Sequence, residues 1–534
     1  MIQIAVRETL DRRSARRTSR WLIICIIALA FGSTVWGIRK NLPYSPEVDE
    51  PIYVTRAIHI AASGDLNPAW FGNPASTTIY PLAVLYHLWF AGTQHGRLVH
   101  ADPVLQARFD AEPADYYFLG RLLTIAYALS SVALTYRLGM DVFDERVALL
   151  GSLLLTLSPL WVTFAQLVRT DTAATFYGLL GLWLCLKLFR APTLVNALLT
   201  GGTIGLAIAS RYFMIALVPV HVAASLPGLF GSILQRQYRP RWWVGAIIGL
   251  LAMVVTFAFS TPFFFLDFST AVHDIQIEAR STHLGADGLS PLGNLWWYVA
   301  VALPDAVGWP ALVLAFLGML LVVRQRDSSR LLLLGFAVVF LGGTVISPLH
   351  WARWMIQLLP LLALFSAFGL ATILDATWTS VRFRGMLRPA ITPALIALVA
   401  VWPLYHLAVL DLSQSGPTTQ VKAREWLIQH LPAHSKIAQE WYCAPLSDTN
   451  FDVSETNSLA TDPRFRTFAD YRQAGFQYLI VSDYMYGRFF AERERYPSEI
   501  AFYQGLFDHG RLIQAFSPSL TSSGPVIQIY ALSP

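Results

Sequence analysis

Long apolar stretches separated by short polar joints run from residue 21 to about residue 410 of this chain. A helix needs about 20 mainly apolar residues to cross a hydrocarbon core of roughly 30 Å. Stretches that meet or approach this length lie at 21–38, 119–138, 147–167, 172–189, 194–210, 212–234, 243–262, 295–322, 331–346, 354–374 and 389–410. The pattern therefore predicts a polytopic α-helical membrane protein with about 11 transmembrane helices.

The composition agrees with this pattern. The 534 residues are 55% hydrophobic and only 14% charged, and the mean hydropathy is +0.48, unlike the average soluble domain. Basic residues cluster in the joints rather than along one stripe, so the net charge of +5 reflects topology and gives no sign of nucleic-acid binding. The 3 cysteines lie far apart and predict neither a disulfide framework nor a metal site.

The basic joints indicate on which side of the membrane each loop lies. Joints at 1–20, 235–241, 324–330 and 382–388 fall on one side when the spans are counted alternately. Because basic loops favour the cytoplasm, we expect a cytoplasmic N-terminus whose first apolar stretch is an uncleaved anchor. The apolar stretch at 77–92 is short and favours a re-entrant or interfacial helix; if it crosses the membrane, every later assignment inverts.

This topology divides the chain into three parts. Residues 1–20 form a basic cytoplasmic segment, and 21–410 form the transmembrane domain with a long outer loop at 39–118. Residues 411–534 gain polar residues and predict a small extracytoplasmic α/β domain. Its expected helices and strands are a helix at 418–430, strands at 436–438, 476–482 and 526–531, and a helix at 484–495 between the last two strands.

Charged residues at the ends of the apolar stretches are costly in a membrane, so each is a functional hypothesis. Four such places are predicted on the outer face: Asp49-Glu50, Arg169-Thr170-Asp171, Arg211-Tyr212, and His350-Trp351-Ala352-Arg353-Trp354. Structural roles compete with function at each place. The first acids complement a helix dipole, Asp171 caps a helix or pairs locally with Arg169, or Arg353 anchors the chain at the headgroups.

Carboxylates and arginines together at a lipid–water boundary suit a reaction on a lipid phosphate. A planar guanidinium can hold a phosphate through two hydrogen bonds, while a carboxylate accepts the proton of an incoming hydroxyl. Transfer of a sugar from a polyprenyl phosphate needs these two roles. Because the phosphate is already a good leaving group, a single base on the opposite side of the sugar predicts inversion at the anomeric carbon.

The order of these motifs resembles a known family. Asp49-Glu50 is followed by Tyr53, Ala57 and Gly64-Asp65-Leu66-Asn67-Pro68, and then by the motifs at Arg169, Arg211 and Arg353 and by Leu359-Pro360-Leu361-Leu362. This order is similar to that of GT-C glycosyltransferases of the protein O-mannosyltransferase type and of the bacterial aminoarabinose transferases. The likeness covers roughly residues 15 to 375.

The resemblance implies an integral enzyme of the bacterial plasma (inner) membrane, which takes an activated sugar from a polyprenyl phosphate carrier on the outer face. It implies Asp49 as the catalytic base, Glu50 as the group that orients the acceptor or the base, and Asp171 as a supporting acid. Arg211 and Arg353 would hold the donor phosphate. The other substrate-binding candidates are Tyr53, Arg56, Tyr80, Arg169, Tyr212 and His350.

Two departures from the family leave the acceptor open. The sequence Ile79-Tyr80-Pro81 has no neighbouring lysine, where the aminoarabinose transferases place one, which puts lipid A modification in doubt. The paired histidine and acidic motifs of eukaryotic protein mannosyltransferases are also missing. A lipid, a glycan and a protein all remain possible acceptors.

Two other functions remain as alternatives. A transporter or flippase for lipid-linked sugars would use the same arginines for binding and the same acids for proton coupling. A metal-dependent oligosaccharide transferase would bind a divalent ion through Asp49, Glu50 and Asp171, since hard cations prefer carboxylate oxygens. We favour an enzyme without a cofactor, and we expect Asp49, Asp171, Arg211 and Arg353 to converge on one outer pocket.

Overall fold

The computed structural model describes residues 2–44, 47–93, 101–226, 240–379, 388–456, 459–460, 462 and 465–532. Most of these residues are helical, and a five-stranded sheet lies near the C-terminus. The basic joints expected at 235–241 and 382–388 lie largely outside the described residues.

In the N-terminal and membrane part, helices lie in each of the predicted apolar stretches, and further helices lie between them. Their bounds are Ile2–Val35, Glu50–Ser63, Ser76–Thr93, Pro103–Ala111, Ala114–Val142, Glu145–Leu157, Pro159–Ala165, Asp171–Arg190, Leu194–Ser210, Leu217–Ser225, Pro240–Ser260, Phe263–Leu266, Phe268–Glu278, Pro291–Trp297, Leu303–Val307, Trp309–Gln325, Ser328–Ile346, Leu359–Thr379 and Arg388–Ser413. Short 3₁₀ turns at Tyr212–Ala216 and Ala352–Leu358 and a π turn at Tyr298–Ala302 connect some of them.

Among the described helices, 6 are long and apolar enough to cross a membrane: Ala114–Val142, Asp171–Arg190, Trp243–Ser260, Ser328–Ile346, Ala352–Thr377 and Ile391–Ser413. Two further predicted spans are helix pairs bent by 65° and 115°, at 145–165 and 291–325, and the remaining three are shorter apolar helices. The prediction of a polytopic helical membrane protein is confirmed. The count of about 11 spans stays a prediction. The Ser76–Thr93 helix is not one of the 6.

Both bends have a local cause in the sequence. At the first, Pro159 follows Ser158, whose hydroxyl caps the second helix by accepting the Trp161 backbone N–H. At the second, Gly308 adopts a φ of +81°, a backbone conformation that favours glycine. The Ser158 hydroxyl also donates to the Ala306 carbonyl at 2.8 Å, so the two bends lie against each other inside the membrane domain.

The C-terminal domain is an α/β unit, as predicted. Its sheet has the strand order β2-β1-β3-β5-β4. The strands are β1 at Lys436–Gln439, β2 at Asp452–Glu455, β3 at Tyr478–Ser482, β4 at Arg511–Phe516 and β5 at Ile527–Ala531, and the helices are Thr419–His430, Phe468–Gln473, Asp483–Ala491 and Pro497–His509. Strand β1 pairs in parallel with β2 and β3, while β5 is antiparallel to β3 and β4. The sequence missed β2, β4 and two of the helices.

Glycines allow close helix packing in the membrane domain. A Cβ atom built on Gly201 would collide with the backbone carbonyl of Gly249 on the Pro240–Ser260 helix. Apolar side chains gain little from contact with each other rather than with lipid, so membrane helices rely on such close approaches. The contact between these two helices therefore requires glycine at position 201.

Gly201→Ala should lower the stability of the fold by about 1–3 kcal/mol, because the added methyl group forces two packed backbones apart. Thermal unfolding of the purified protein in detergent, followed by tryptophan fluorescence, measures this. Gly335→Ala is the matched control, since a Cβ there meets nothing within 4 Å. Equal unfolding temperatures for the two variants would contradict the packing argument.

Candidate active site

The first outer segment brings Asp49 to the membrane domain. Asp49 precedes the Glu50–Ser63 helix, but its side chain makes no capping hydrogen bond. Its Oδ2 instead accepts from Arg169 Nη1 and lies 3.8 Å from Arg353 Nη1. The carboxylate is therefore aimed at the arginines of two distant segments, which the helix-dipole explanation alone does not account for.

Arg169 lies at the centre of a chain of alternating charges. Its Nη1 also donates to Glu47 at 3.3 Å, and its Nε donates to Asp171 Oδ2 at 3.1 Å. The other oxygen of Asp171 accepts from Arg211 Nη1. Asp171 is fully buried and Arg169 is 4% exposed, so each charge depends on the other for compensation.

The positions of these residues follow from the helix ends. Asp171 is the first residue of the Asp171–Arg190 helix, and Arg211 follows the last residue of the Leu194–Ser210 helix. Two consecutive antiparallel helices thus place their ends on the same side. Arg353 belongs to the 3₁₀ turn before the Leu359–Thr379 helix, where its guanidinium lies 4.4 Å from the ring centroid of Trp351.

The ion cluster opens into a cavity of about 370 Å³. Predicted site residues that line it are Asp49, Tyr53, Arg169, Arg211, Tyr212 and Arg353. Asp171 does not line the cavity, but it forms ion pairs with Arg169 and Arg211, which do. Within the part of the chain that the structure describes, the Nε atoms of Arg211 and Arg353 have no hydrogen-bond partner, although buried N–H groups normally have one.

The electrostatic environment shifts the pKa values of Asp49 and Glu47 in opposite directions. Burial raises the pKa of Asp49, but the charges of Arg169 and Arg353 outweigh it and hold the pKa below its ordinary value. Burial raises the pKa of Glu47, and Arg169 offsets this only in part. The site therefore shifts Asp49 toward the ionised form and Glu47 toward the protonated form.

The structure places Glu50 outside the cavity. Glu50 is fully buried, and both its carboxylate oxygens accept from Arg121, from Nε and from Nη2, at 2.8 Å. The backbone N–H of Val168 donates to the same carboxylate at 3.0 Å. Because Val168 immediately precedes Arg169, Glu50 joins the first outer segment to the turn that carries the central arginine.

Three further predicted residues also lie outside the cavity lining. The Arg56 guanidinium lies 5.3 Å from the ring centroid of Trp70. The Tyr80 hydroxyl donates to the Leu66 carbonyl at 3.1 Å. His350 packs against the ring of Trp297, with ring centroids 4.5 Å apart. Of these three partners, Trp70 lines the cavity, whereas Leu66 and Trp297 do not.

Other cavity residues were missed by the sequence reasoning. Glu47 lies beside the predicted acids, and Arg280 and His283 come from the outer loop after the Phe268–Glu278 helix. Trp441 and Tyr442 come from the C-terminal domain. Counting the spans alternately also predicts residues 263–294 on the outer face, together with the loop at 39–118 and the C-terminal domain, but no spacing in the sequence relates these residues to the membrane helices.

The comparisons with known proteins agree with this architecture. Residues 117–263 match the family model described as dolichyl-phosphate-mannose-protein mannosyltransferase. No curated protein sequence gives a significant match.

Solved structures show the same fold over nearly the whole chain. ArnT from Cupriavidus metallidurans bound to undecaprenyl phosphate has a TM-score of 0.54 at 13% identity, covering 96% of this chain and 98% of that one. The archaeal oligosaccharyltransferase AglB from Archaeoglobus fulgidus, in complex with an inhibitory peptide and a dolichol-phosphate, has a TM-score of 0.53 at 13% identity, covering 97% and 74%. The chain thus has the GT-C-type membrane fold. The resemblance to GT-C glycosyltransferases of the protein O-mannosyltransferase type is confirmed.

Glu50→Gln should destabilise the protein by about 3 kcal/mol, because it leaves the buried Arg121 guanidinium without a compensating charge. Thermal unfolding in detergent tests this. Arg146→Gln is the control, since the Arg146–Asp375 pair is 3.0 Å long but 69% and 58% exposed, and exposed pairs contribute little. A loss of similar size in both variants would refute the structural role of Glu50.

Proposed function

We propose that the chain is a membrane glycosyltransferase that transfers a sugar from a polyprenyl phosphate to an acceptor hydroxyl on the extracytoplasmic face. The observation that carries this proposal is the meeting of Asp49 with Arg169, Arg211 and Arg353 in one cavity. These residues come from segments far apart in the chain, and the cavity sets the Asp49 carboxylate among guanidinium groups, which matches the two roles that the reaction requires.

The arginines would hold the phosphate of the donor. A phosphodiester-linked sugar keeps one negative charge, and its oxygens can accept hydrogen bonds from Arg211 and Arg353, whose side chains line the cavity. Asp171 supports this role because it fixes Arg211 and Arg169 from behind. As the bond to the sugar breaks, the same guanidinium groups stabilise the charge that develops on the leaving phosphate.

Asp49 would act as the general base. The acceptor oxygen forms a bond to the anomeric carbon, the bond from that carbon to the phosphate oxygen breaks, and the hydroxyl proton passes to Asp49. The polyprenyl phosphate leaves with the bonding electron pair. Attack opposite the leaving group inverts the anomeric carbon. A phosphate that competes for Arg169 and Arg353 also weakens their hold on Asp49, which raises its proton affinity when the donor is bound.

The other acids, Glu50 and Asp171, would support the site rather than react themselves. Glu50 would act as a positioning residue through Arg121 and Val168, and Tyr53 and Tyr212 would line the sugar path. The metal-dependent alternative requires Asp49, Glu50 and Asp171 around one ion. A guanidinium instead lies against each of the three carboxylates, so we propose that the arginines handle the donor and that no cofactor takes part.

The solved structures with this fold support a polyprenyl phosphate donor. One contains undecaprenyl phosphate and the other a dolichol-phosphate. We propose that the protein lies in the bacterial inner membrane with a cytoplasmic N-terminus, and that the cavity and the C-terminal domain face outward. The acceptor would be a lipid, a glycan or a protein that presents a hydroxyl.

Asp49→Asn should reduce sugar transfer about a hundredfold or more, because an amide cannot accept the proton. The assay supplies the purified protein in vesicles with a panel of radiolabelled polyprenyl phosphate sugars and cell-envelope acceptor extract, and follows discharge of each carrier. Arg146→Gln, far from the cavity, should retain full turnover. Normal turnover by Asp49→Asn would remove Asp49 from the role of base.

Arg353→Gln should weaken donor use and also shift the pH dependence. Because Arg353 helps to keep the pKa of Asp49 below its ordinary value, its removal lets the carboxylate protonate at higher pH. The acid limb of kcat/KM should therefore move to higher pH, whereas the limb of the Arg146→Gln enzyme should stay in place. An unchanged limb together with unchanged donor affinity would favour the simple headgroup anchor.

A further inference from the structure

The C-terminal domain holds two aromatic side chains in the cavity at the end of β1. Glu440, the residue after this strand, is buried, and its carboxylate accepts from the Ser482 backbone N–H at 3.0 Å and from the Tyr503 hydroxyl. This anchoring directs the next residue outward: Trp441 is 57% exposed. The chain thus presents a large indole to solvent at a fixed place.

Tyr442 has a backbone conformation that residues other than glycine rarely adopt. Its φ is +65°, which costs of the order of 1–3 kcal/mol for a residue other than glycine. Its ring meets that of Tyr484 edge to face, with centroids 5.7 Å apart, and Arg488 Nη2 donates to its hydroxyl at 3.5 Å. Strain of this kind persists where function requires the placement of a side chain.

Trp441 separates the candidate active site from a second hollow. It lines the cavity that contains Asp49, and it also lines a hollow of about 680 Å³ on the C-terminal domain. The indole N–H points to Glu455 Oε2 at 3.4 Å. A molecule lying in the second hollow would therefore pass over the indole to reach the base.

The walls of the second hollow mix both signs of charge with aromatic rings. They include Lys436 and Arg466, Glu455 and Asp462, and the rings of Tyr471 and Phe476. Among the described residues of these walls neither sign predominates, so the hollow is unlike a phosphate site or a basic groove for acidic chains. Many hydrogen-bonding groups around an exposed indole suit a neutral saccharide, whose hydroxyls bond to the polar groups while its C–H face packs on the electron-rich ring.

A peptide fits this surface less well. Peptides that bind at sheets commonly pair with an exposed edge strand, and the edge strand beside the hollow is β2. This strand has only 4 residues, with Asp452 and Glu455 at its two ends. Short, charged edge strands resist such pairing.

We propose that the second hollow binds the non-reacting part of a saccharide acceptor, and that Trp441 and Tyr442 direct its reacting hydroxyl into the cavity of Asp49. This rests on the proposed glycosyltransferase function and names its acceptor class. The donor site at the arginines and the acceptor site at the aromatic pair are then carried by different domains.

The first test is binding by the full-length protein in nanodiscs to an array of defined neutral oligosaccharides and of serine- and threonine-containing peptides. The wild type should retain oligosaccharides, and Trp441→Ala should lose about tenfold in affinity, as expected for one lost stacking contact. Trp296→Ala is the matched control, because Trp296 is 72% exposed and lies outside both hollows. Retention of peptides alone, or equal oligosaccharide binding by Trp441→Ala, would overturn the proposal.

Tyr442→Gly is a second variant, whose effect on the acceptor can be distinguished from an effect on folding. Glycine accepts the positive φ without strain, which offsets the lost side-chain contacts, so this variant should unfold at a similar temperature. Its KM for the retained oligosaccharide should nevertheless rise about tenfold, and its kcat should fall because the hydroxyl is no longer directed to Asp49. An unchanged KM would count against the guiding role.

Measurement of donor binding distinguishes failure of the acceptor proposal from failure of the proposed glycosyltransferase function. Retention of radiolabelled undecaprenyl phosphate should be equal in wild type, Trp441→Ala and Tyr442→Gly. If wild type binds this lipid but no oligosaccharide, the acceptor proposal is wrong while the proposed function stands. If oligosaccharides bind through Trp441 but no polyprenyl phosphate sugar is ever discharged, the saccharide site stands and the proposed function fails.

Discussion

The carboxylate of Asp171 holds Arg169 and Arg211 together, and the rest of the site depends on this pairing. Three buried charges at the ends of two helices would be strongly unfavourable if any one of them lacked a partner. One acid shared by two guanidinium groups instead leaves donors for further contacts. Arg169 uses its donors to bind Asp49 and Glu47, which fixes the outer loop over the cavity.

The charge balance of the cluster explains how it can be stable without substrate and still receive one. Three carboxylates, on Glu47, Asp49 and Asp171, lie among three guanidinium groups. Under the proposed function, the guanidinium groups would bind the added negative charge of a donor phosphate, and this competition would weaken their hold on Asp49.

Contacts outside the membrane domain join the C-terminal domain to the loops that line the cavity. Arg495 of the C-terminal domain forms two hydrogen bonds with Asp287 of the outer loop, at 2.7 and 2.9 Å. The Lys40 ammonium donates to Ser523 at 2.8 Å. These contacts hold three segments against one another: the loop that follows the first helix, the loop that carries Asp287, and the α/β domain. Residues from all three therefore line a single cavity.

The sequence by itself determined the membrane character, the positions of most helices and, apart from Glu47, the acids and arginines of the ion cluster, because apolar length and the cost of charge at a span end are local properties. Only the tertiary structure decided that Glu50 turns to Arg121, that His350 packs on Trp297, and that Trp441 enters the cavity. Adjacent residues on a helix point in different directions, and contacts between domains depend on packing that no local pattern encodes. The same limit applied to the short strands β2 and β4, which gain their partners only in the assembled sheet.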